Sequence, residues 1–542
     1  MRLILLSIVL CLGTNSWAQV INTELLQHYT LDEIEDVLGT FGLPAGFLPL
    51  EYEVDYYKVQ YMTLHPNGDS ILVSGAMIVP YEVTCPLPLS SYQHGTVAAK
   101  SDVPSQLSDE GLLGVLYGSA GYVTVLPDYI GLGDSEVFHL YVHAESEANA
   151  ALDLIRGAHA LQEELGYSLN GQHFLWGYSQ GGHATMALHR MMELDYPGEF
   201  EITASAPMSG PYDISGAQAE IITSDAVYPT PGYLPYVVLS YQEVYGNLYE
   251  NLSEFFVAPY DELIPELFNG INGMGYINSQ LPDVPNEIIL PEILEAYESN
   301  PLHPIRLALE DNDVYEWVPQ AKTRLYYCNG DDQVTYLNSV VALDYFEEND
   351  APDVTGLDGG DYDHGGCASL AMLAGFNFFQ TLVESPFDPE IEVQISPATA
   401  VGATDGEVLL VADGIDSWEI SWNTGASGPL LTGVTGGFYL ATITNEMGCS
   451  VQVPVTISIV VGLPEIDWAA VDLFPNPTAD KIQVSGLVGV VQVSIYTSQG
   501  KLIEQIRSDA SHPFDLGHLA QGLYVCELIV GDSRVVRRIQ KL

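Results

Sequence analysis

Three short stretches of this chain hold the residue types, in the order, that hydroxyl-based nucleophilic catalysis requires. The first is Gly177-Tyr178-Ser179-Gln180-Gly181-Gly182, a G-x-S-x-G pattern with Ser179 at its centre. A serine hydroxyl is a poor nucleophile at neutral pH; a histidine must take its proton and a carboxylate must hold that histidine. When such a serine sits between a strand and a helix, the partners follow in the order acid, then histidine. Asn329-Gly330-Asp331-Asp332-Gln333-Val334 offers two carboxylates just past an apolar run, and its D-x-x-V spacing favours Asp331 over Asp332. Past that point one histidine precedes the tail, His364, in Asp361-Tyr362-Asp363-His364-Gly365-Gly366. His183, His189 and His303 come too early, and His512 and His518 too late. An anionic tetrahedral intermediate needs two N–H donors. The backbone of Gln180 offers one; the loop Gln93-His94-Gly95-Thr96 offers the other, from Thr96 first and Gly95 next, with His94 read as a turn residue.

These groups work only if the chain delivers them to one place. His173–Trp176 reads as a short buried strand, and Ala184, Ala187, Leu188, Met191 and Met192 recur at helical spacing beyond the serine. Strand, sharp turn and helix are the setting of a nucleophile elbow, with glycines leaving room for the turn. Upstream, Thr30-Leu31-Asp32-Glu33 opens a helix with a capping box, and Val54–Leu64 with Ser70–Val79 form a hairpin around Pro66-Asn67-Gly68. Strands at Leu87–Tyr92, Tyr122–Leu126, Ile202–Ala206 and Arg324–Cys328 alternate with helices at Ser146–Leu165 and Ala368–Leu382. That alternation specifies an α/β fold with a mostly parallel sheet. The long insertion between Asp213 and Arg324, with nine tyrosines from Tyr228 to Tyr297, reads as a cap at about 214–300 over the sheet's carboxyl edge. If Asp331 and His364 touch, Cys328 and Cys367 become neighbours; they either form a disulfide or pack as two buried thiols.

Composition narrows the partners. Met1–Ala18 carries Arg2, an apolar run and Ser16-Trp17-Ala18, the pattern of an export signal. No other stretch is apolar and long enough to span a bilayer. The formal charge is −57, and residues 19–464 contain seven Lys or Arg, as many as the much shorter 465–542. So acidic a body repels nucleic acid and anionic membranes. Five cysteines outside the signal, without metal-type spacing, point neither to a zinc site nor to a dense disulfide framework. Past a linker at Pro386-Phe387-Asp388-Pro389, helical periodicity gives way to short alternating strands, as expected of two small β-sandwiches at 391–461 and 469–542.

Taken together, Ser91-Tyr92-Gln93-His94-Gly95-Thr96, Pro127-Asp128-Tyr129-Ile130-Gly131-Leu132-Gly133, Gly177–Gly182, Asp331-Asp332-Gln333-Val334 and Asp363-His364-Gly365-Gly366-Cys367 resemble the secretory-lipase branch of the α/β-hydrolases. The resemblance covers about residues 50–385. It departs at Cys328, where such hydrolases often carry glycine. It implies ester hydrolysis through an acyl-enzyme on a 19–386 catalytic domain, with a helical cap shaping the acyl site and no metal or organic cofactor. The tail is similar to a type IX secretion C-terminal sorting domain in Leu473-Phe474-Pro475-Asn476-Pro477-Thr478, Leu519-Ala520-Gln521-Gly522-Leu523-Tyr524 and a basic end at Arg537-Arg538 and Lys541. That implies recognition by the type IX machinery and a secreted or surface-attached product. The middle module, with Ser421-Trp422-Asn423-Thr424-Gly425 and Asn445-Glu446-Met447-Gly448-Cys449, is similar to single repeats of bacterial surface adhesins.

The expected function is a secreted esterase or lipase using Ser179, His364 and Asp331, with oxyanion donors at Gln180 and Thr96. Two rivals stand beside it. A serine peptidase of the aminopeptidase type would use the same groups, with carboxylates of the acidic cap binding the substrate amine. An adhesin would keep the hydrolase fold only as a scaffold.

Overall fold

The computed structural model describes residues 19–41, 48–384, 387–446, 448–459, 469–487, 490–530 and 533–542. The expected signal at 1–18 lies outside them, as does Pro386 of the expected linker. The chain divides into two compact units: residues 1–389 with 444–451, and residues 390–443 with 452–542.

The first unit is built on nine strands: β1 (Val20–Tyr29), β2 (Val54–Leu64), β3 (Ser70–Pro80), β4 (Leu87–Gln93), β5 (Val123–Pro127), β6 (Leu169–Tyr178), β7 (Ile202–Met208), β8 (Lys322–Tyr327) and β9 (Val354–Asp358). Their order is β1-β2-β3-β5-β4-β6-β7-β8-β9. From β5 to β9 every neighbouring pair is parallel, whereas β1, β2 and β3 form an antiparallel extension that meets β5. Strands β4 to β7 are almost wholly buried, as strands covered on both faces must be. One face is covered by α3 (Ala144–Ala160) and, beyond the short α4 (Gln162–Leu165), α5 (Gln180–Leu194). On the other face lie α1 (Leu31–Thr40) and α2 (Asp109–Ser119). The expected capping box of α1 is present: Glu33 N–H donates to Thr30 Oγ1 while the Glu33 carboxylate accepts from Thr30 N–H.

Sequential strands lie on opposite sides of β4, with β5 on one flank and β6 on the other. Loops leaving such a reversal diverge and open a crevice at the carboxyl ends of the strands. Over that edge lies the insertion, as six short helices: α6 (Ala219–Ile222), α7 (Tyr233–Tyr245), α8 (Tyr260–Leu267), α9 (Met274–Ser279), α10 (Pro291–Ser299) and α11 (Pro304–Glu310). They pack around their own apolar cluster of Leu234, Tyr236, Phe255, Phe256, Ile264 and Ile288. The unit ends with α12 (Leu337–Glu348) between β8 and β9, and α13 (His364–Gln380).

Periodicity missed two strands. β1 is an edge strand, only its last residue fully buried, and β9 is five residues long and half exposed, so neither shows a strong apolar pattern. α13 also starts four residues earlier than its apolar spacing suggests. Asp363 caps it by accepting from Gly366 N–H at 2.7 Å, which makes His364 the first helical residue and not a loop residue.

The second unit is all β. One part pairs β10 (Glu392–Ser396), β11 (Gly406–Val411) and β13 (Leu430–Val434) in one sheet, and β12 (Glu419–Trp422), β14 (Gly437–Thr444) and β15 (Ser450–Ile457) in another. The last part has a sheet of β16 (Asp472–Phe474), β17 (Lys481–Ser485) and β20 (Phe514–Asp515). Its partner sheet runs β19 (Leu502–Asp509), β18 (Val490–Thr497), β21 (Gly522–Val530), β22 (Ser533–Lys541), around a core of Val491, Val493, Ile495 and Leu528. Segment 444–451, which clusters with the first unit, carries Cys449, bonded to Cys85. No helix among the described residues is long and apolar enough to cross a membrane.

Candidate active site

Ser179 sits at the tip of the β6–α5 turn with φ 62° and ψ −122°. A non-glycine residue held at positive φ stores strain and needs surroundings that enforce it. Here the enforcement is close packing. A Cβ on Gly181 would collide with the Gln93 carbonyl oxygen, and one on Gly177 would approach the same oxygen to 2.6 Å. The turn is pinned from the next strand too, since Ser179 N–H donates to Met208 O at 3.0 Å. The serine is only 6% exposed and lines the cavity beneath the insertion.

The acid and base loops meet. Asp331 Oδ2 lies 2.8 Å from His364 Nδ1, and the Asp331 side chain is wholly buried. Asp331 Oδ1 accepts from the N–H groups of Gln333 and Val334 at 3.0 and 2.9 Å, which gives the D-x-x-V spacing a mechanical meaning. Asp332 serves differently: its Oδ1 accepts from the backbone N–H of His364 at 3.1 Å. With a carboxylate at Nδ1, the imidazole proton sits on that nitrogen, and Nε2 is free to act as a base. Tyr178, the residue before the serine, donates from its hydroxyl to His364 O at 2.6 Å, so elbow and base are tied directly. Cys328 and Cys367 form a disulfide with Cα atoms 5.9 Å apart, bonding the end of β8 to the first turn of α13.

On the oxyanion side the two candidates separate. Gly95 N–H donates to Glu110 Oε2 at 2.8 Å, an acceptor it shares with the Tyr92 hydroxyl. Thr96 Oγ1 lies 3.0 Å from the Tyr141 hydroxyl. His94 is a buried loop residue whose ring nitrogens face the carbonyl oxygens of Gly95 and Asp128 at 2.7 and 3.2 Å. Among the excluded histidines, His183 pairs with Glu147 and His189 with Glu193.

The cavity beside Ser179 and Gln180 is walled by Tyr141, Ile214, Leu234, Val238, Phe255 and Ile289 among others, and none of its lining residues is charged. Burial pushes the hydroxyls of Tyr141 and Tyr233 up, the latter to about 12, so both stay neutral at physiological pH. These two tyrosines escaped the sequence reading. Tyr141 lies outside every motif, and Tyr233 is one of nine tyrosines that composition cannot rank. Among the described residues no cluster of three or more His, Cys, Asp or Glu side chains could hold a metal ion.

Similarity to known proteins agrees with this geometry. Residues 104–256 match the secretory lipase family, and residues 472–541 match the secretion system C-terminal sorting domain. No curated protein matches the chain. Among solved structures, a protein described as a hydrolase from Legionella pneumophila is 29% identical, with a TM-score of 0.63, over 67% of this chain and 98% of its own. The rice cell wall degrading esterase LipA from Xanthomonas oryzae is 28% identical, with a TM-score of 0.61, over 67% of this chain and 99% of its own. Candida antarctica lipase A, at 16% identity and a TM-score of 0.51, covering 67% of this chain and 81% of its own, shares the fold. The first unit therefore has the mixed α/β fold of the lipase and esterase α/β-hydrolases, its matches support a hydrolase acting on esters, and the sorting-domain tail indicates an exported protein.

Proposed function

We propose that residues 19–386 hydrolyse carboxylic esters through an acyl-enzyme on Ser179, with a cap at about 214–300 enclosing the acyl group. The observation that carries this reading is the 2.8 Å pair between buried Asp331 and His364 Nδ1, with His364 tied through Tyr178 to the elbow whose serine is held at positive φ. Ser179 Oγ attacks the ester carbonyl carbon as its proton passes to His364 Nε2. The oxyanion accepts from the N–H groups of Gln180 and Thr96; Gly95 is unsuited, its N–H being engaged by Glu110. Nε2 then protonates the departing alkoxide. In the second half it takes a proton from water, whose oxygen attacks the acyl carbon; the bond from that carbon to Ser179 Oγ then breaks as Nε2 returns the proton to Oγ, releasing the acid. Asp331 holds the ring and stabilises the imidazolium in both halves.

An aminopeptidase would need carboxylates near the acyl carbon to bind a substrate amine. The uncharged, apolar cavity wall favours an acyl chain instead. The tail at 469–542 engages the secretion machinery, while 391–461 serves as a separate module. A fluorophosphonate should label Ser179 stoichiometrically, and nitrophenyl esters should turn over where aminoacyl amides do not. Absence of labelling in active protein would remove Ser179 from the role.

A further inference from the structure

Behind the elbow lies a buried polar network that the mechanism above does not use. Gln180, first residue of α5, has its side-chain nitrogen 2.7 Å from Glu147 Oε1 and 3.0 Å from His139 Nε2. The other Glu147 oxygen lies 2.8 Å from His183 Nδ1, while His183 Nε2 faces the carbonyl oxygen of Asn312 at 2.9 Å. His139 Nδ1 faces the carbonyl oxygen of Ile130 at 2.7 Å. Gln180, Glu147, His139 and His183 are all buried, Glu147 being 1% exposed.

The acceptors dictate where the protons are. Desolvation holds His139 down at about 3, so its ring is neutral; its one proton must be on Nδ1, to serve the Ile130 carbonyl, leaving Nε2 as a lone pair. His183 bridges the Glu147 carboxyl group at one nitrogen and the Asn312 carbonyl at the other. The other Glu147 oxygen takes one Gln180 N–H while His139 Nε2 takes the other. The amide cannot turn over, because its oxygen would then meet a carboxylate and a lone pair. That oxygen, Gln180 Oε1, is itself buried without a partner in the protein, so the orientation is set entirely by the donor end.

We propose that Glu147 is a positioning residue for ester hydrolysis, acting through Gln180. Clamped between Glu147 and His139, the Gln180 side chain prevents the first turn of α5 from rotating, which keeps its backbone N–H aimed at the developing oxyanion. This role rests on the reading of Ser179 as nucleophile.

The test compares Glu147→Met, which removes the acceptor, with Gln180→Met and their combination in the full chain. It measures nitrophenyl ester kinetics and inhibition by a trifluoromethyl ketone, which adds to Ser179 as an oxyanionic hemiketal. Either single change should lower kcat on the order of 10- to 100-fold with KM held within about threefold, as expected of a misaimed oxyanion donor. Ketone affinity should fall in step with kcat, and the combined variant should be no worse than the poorer single one, because both break one linkage. Several results overturn the role: kcat within about twofold of wild type in either folded variant, lost kcat with undiminished ketone affinity, or additive effects. Gln180→Met keeps the Glu147–His183 pair and carries the test if Glu147→Met does not fold. Failure of both to fold leaves the network purely structural and ends the proposal. Ser179→Ala run in parallel separates the two claims: an active Ser179→Ala enzyme sinks the nucleophile reading, whereas an inert one beside a fully active Glu147→Met enzyme sinks the positioning role alone.

Discussion

At the scale of single residues, the two adjacent aspartates are the sharpest case, because each touches His364 in a different way. Asp331 reaches the ring and Asp332 the backbone N–H. Asp331→Asn keeps the shape but presents an amide where Nδ1 needs an acceptor, so ester turnover should fall by about 10⁴, the size of effect known for loss of a triad carboxylate. Asp332→Asn retains an acceptor oxygen for the backbone N–H and should stay within roughly tenfold of wild type, since no proton moves through that bond. Steady-state kinetics on the two purified variants decide it; the reverse ranking would mean that Asp332 holds the base. Ser179→Ala should lose on the order of 10⁶ in kcat with an unchanged melting temperature, because its hydroxyl is spent on chemistry and not on packing.

Elements explain why so much of the site was legible in the chain and why some of it was not. G-x-S-x-G, D-x-x-V and the solitary His364 are local signals, and each motif has a local geometric counterpart: Gly181 has no room for a Cβ, Val334 N–H binds Asp331, and His364 Nδ1 meets Asp331. Gly181→Ala should accordingly yield little folded, active enzyme, as seen by circular dichroism and fluorophosphonate labelling; a stable and fully labelled variant would mean that the turn can relax. The start of α13 was misjudged because Gly365 and Gly366 look like a loop, whereas the Asp363 cap outweighs their poor helix propensity. Glu147 was invisible for another reason: it meets its partners Gln180 and His183 only through the packing of α3 against α5, and no spacing rule encodes that. The proximity of Cys328 and Cys367 was derivable, since a working acid–base pair forces the flanking loops together, but the choice between a disulfide and two buried thiols was not; the structure has the disulfide. Replacing both cysteines by serine should lower unfolding free energy by about 2–4 kcal/mol through the unfolded state, read from denaturant melts. An unchanged midpoint would show that the bond adds nothing to stability.

At the scale of the whole molecule, buried histidines set a dependence on acidity. Desolvation, reinforced by neighbouring His159, holds His173 down at about 4 against an ordinary 6.5. Below pH 6.5 the unfolded chain binds a proton there that the folded chain refuses, so this residue's contribution to stability is complete above that pH and declines as pH falls toward 4. His173→Gln should therefore be on the order of 2 kcal/mol better placed relative to wild type at pH 5 than at pH 7.5; a difference that does not vary with pH would show that the ring titrates normally. Truncation at residue 470 should leave ester hydrolysis intact, since no residue of the proposed site lies beyond it, but should leave the protein undelivered in its native cell; normal delivery would remove the sorting role. The tail also holds the one cysteine among the described residues outside a disulfide, Cys526, buried in β21 opposite Ile495. Burial pushes its thiol up to about 12, so a closed tail is silent to alkylating reagents. Labelling at Cys526 thus becomes a clock for one event, the opening of the terminal module, uncontaminated by the catalytic unit, whose described cysteines are all paired. Timed alkylation during translocation would report whether the sorting domain crosses the outer membrane open or shut.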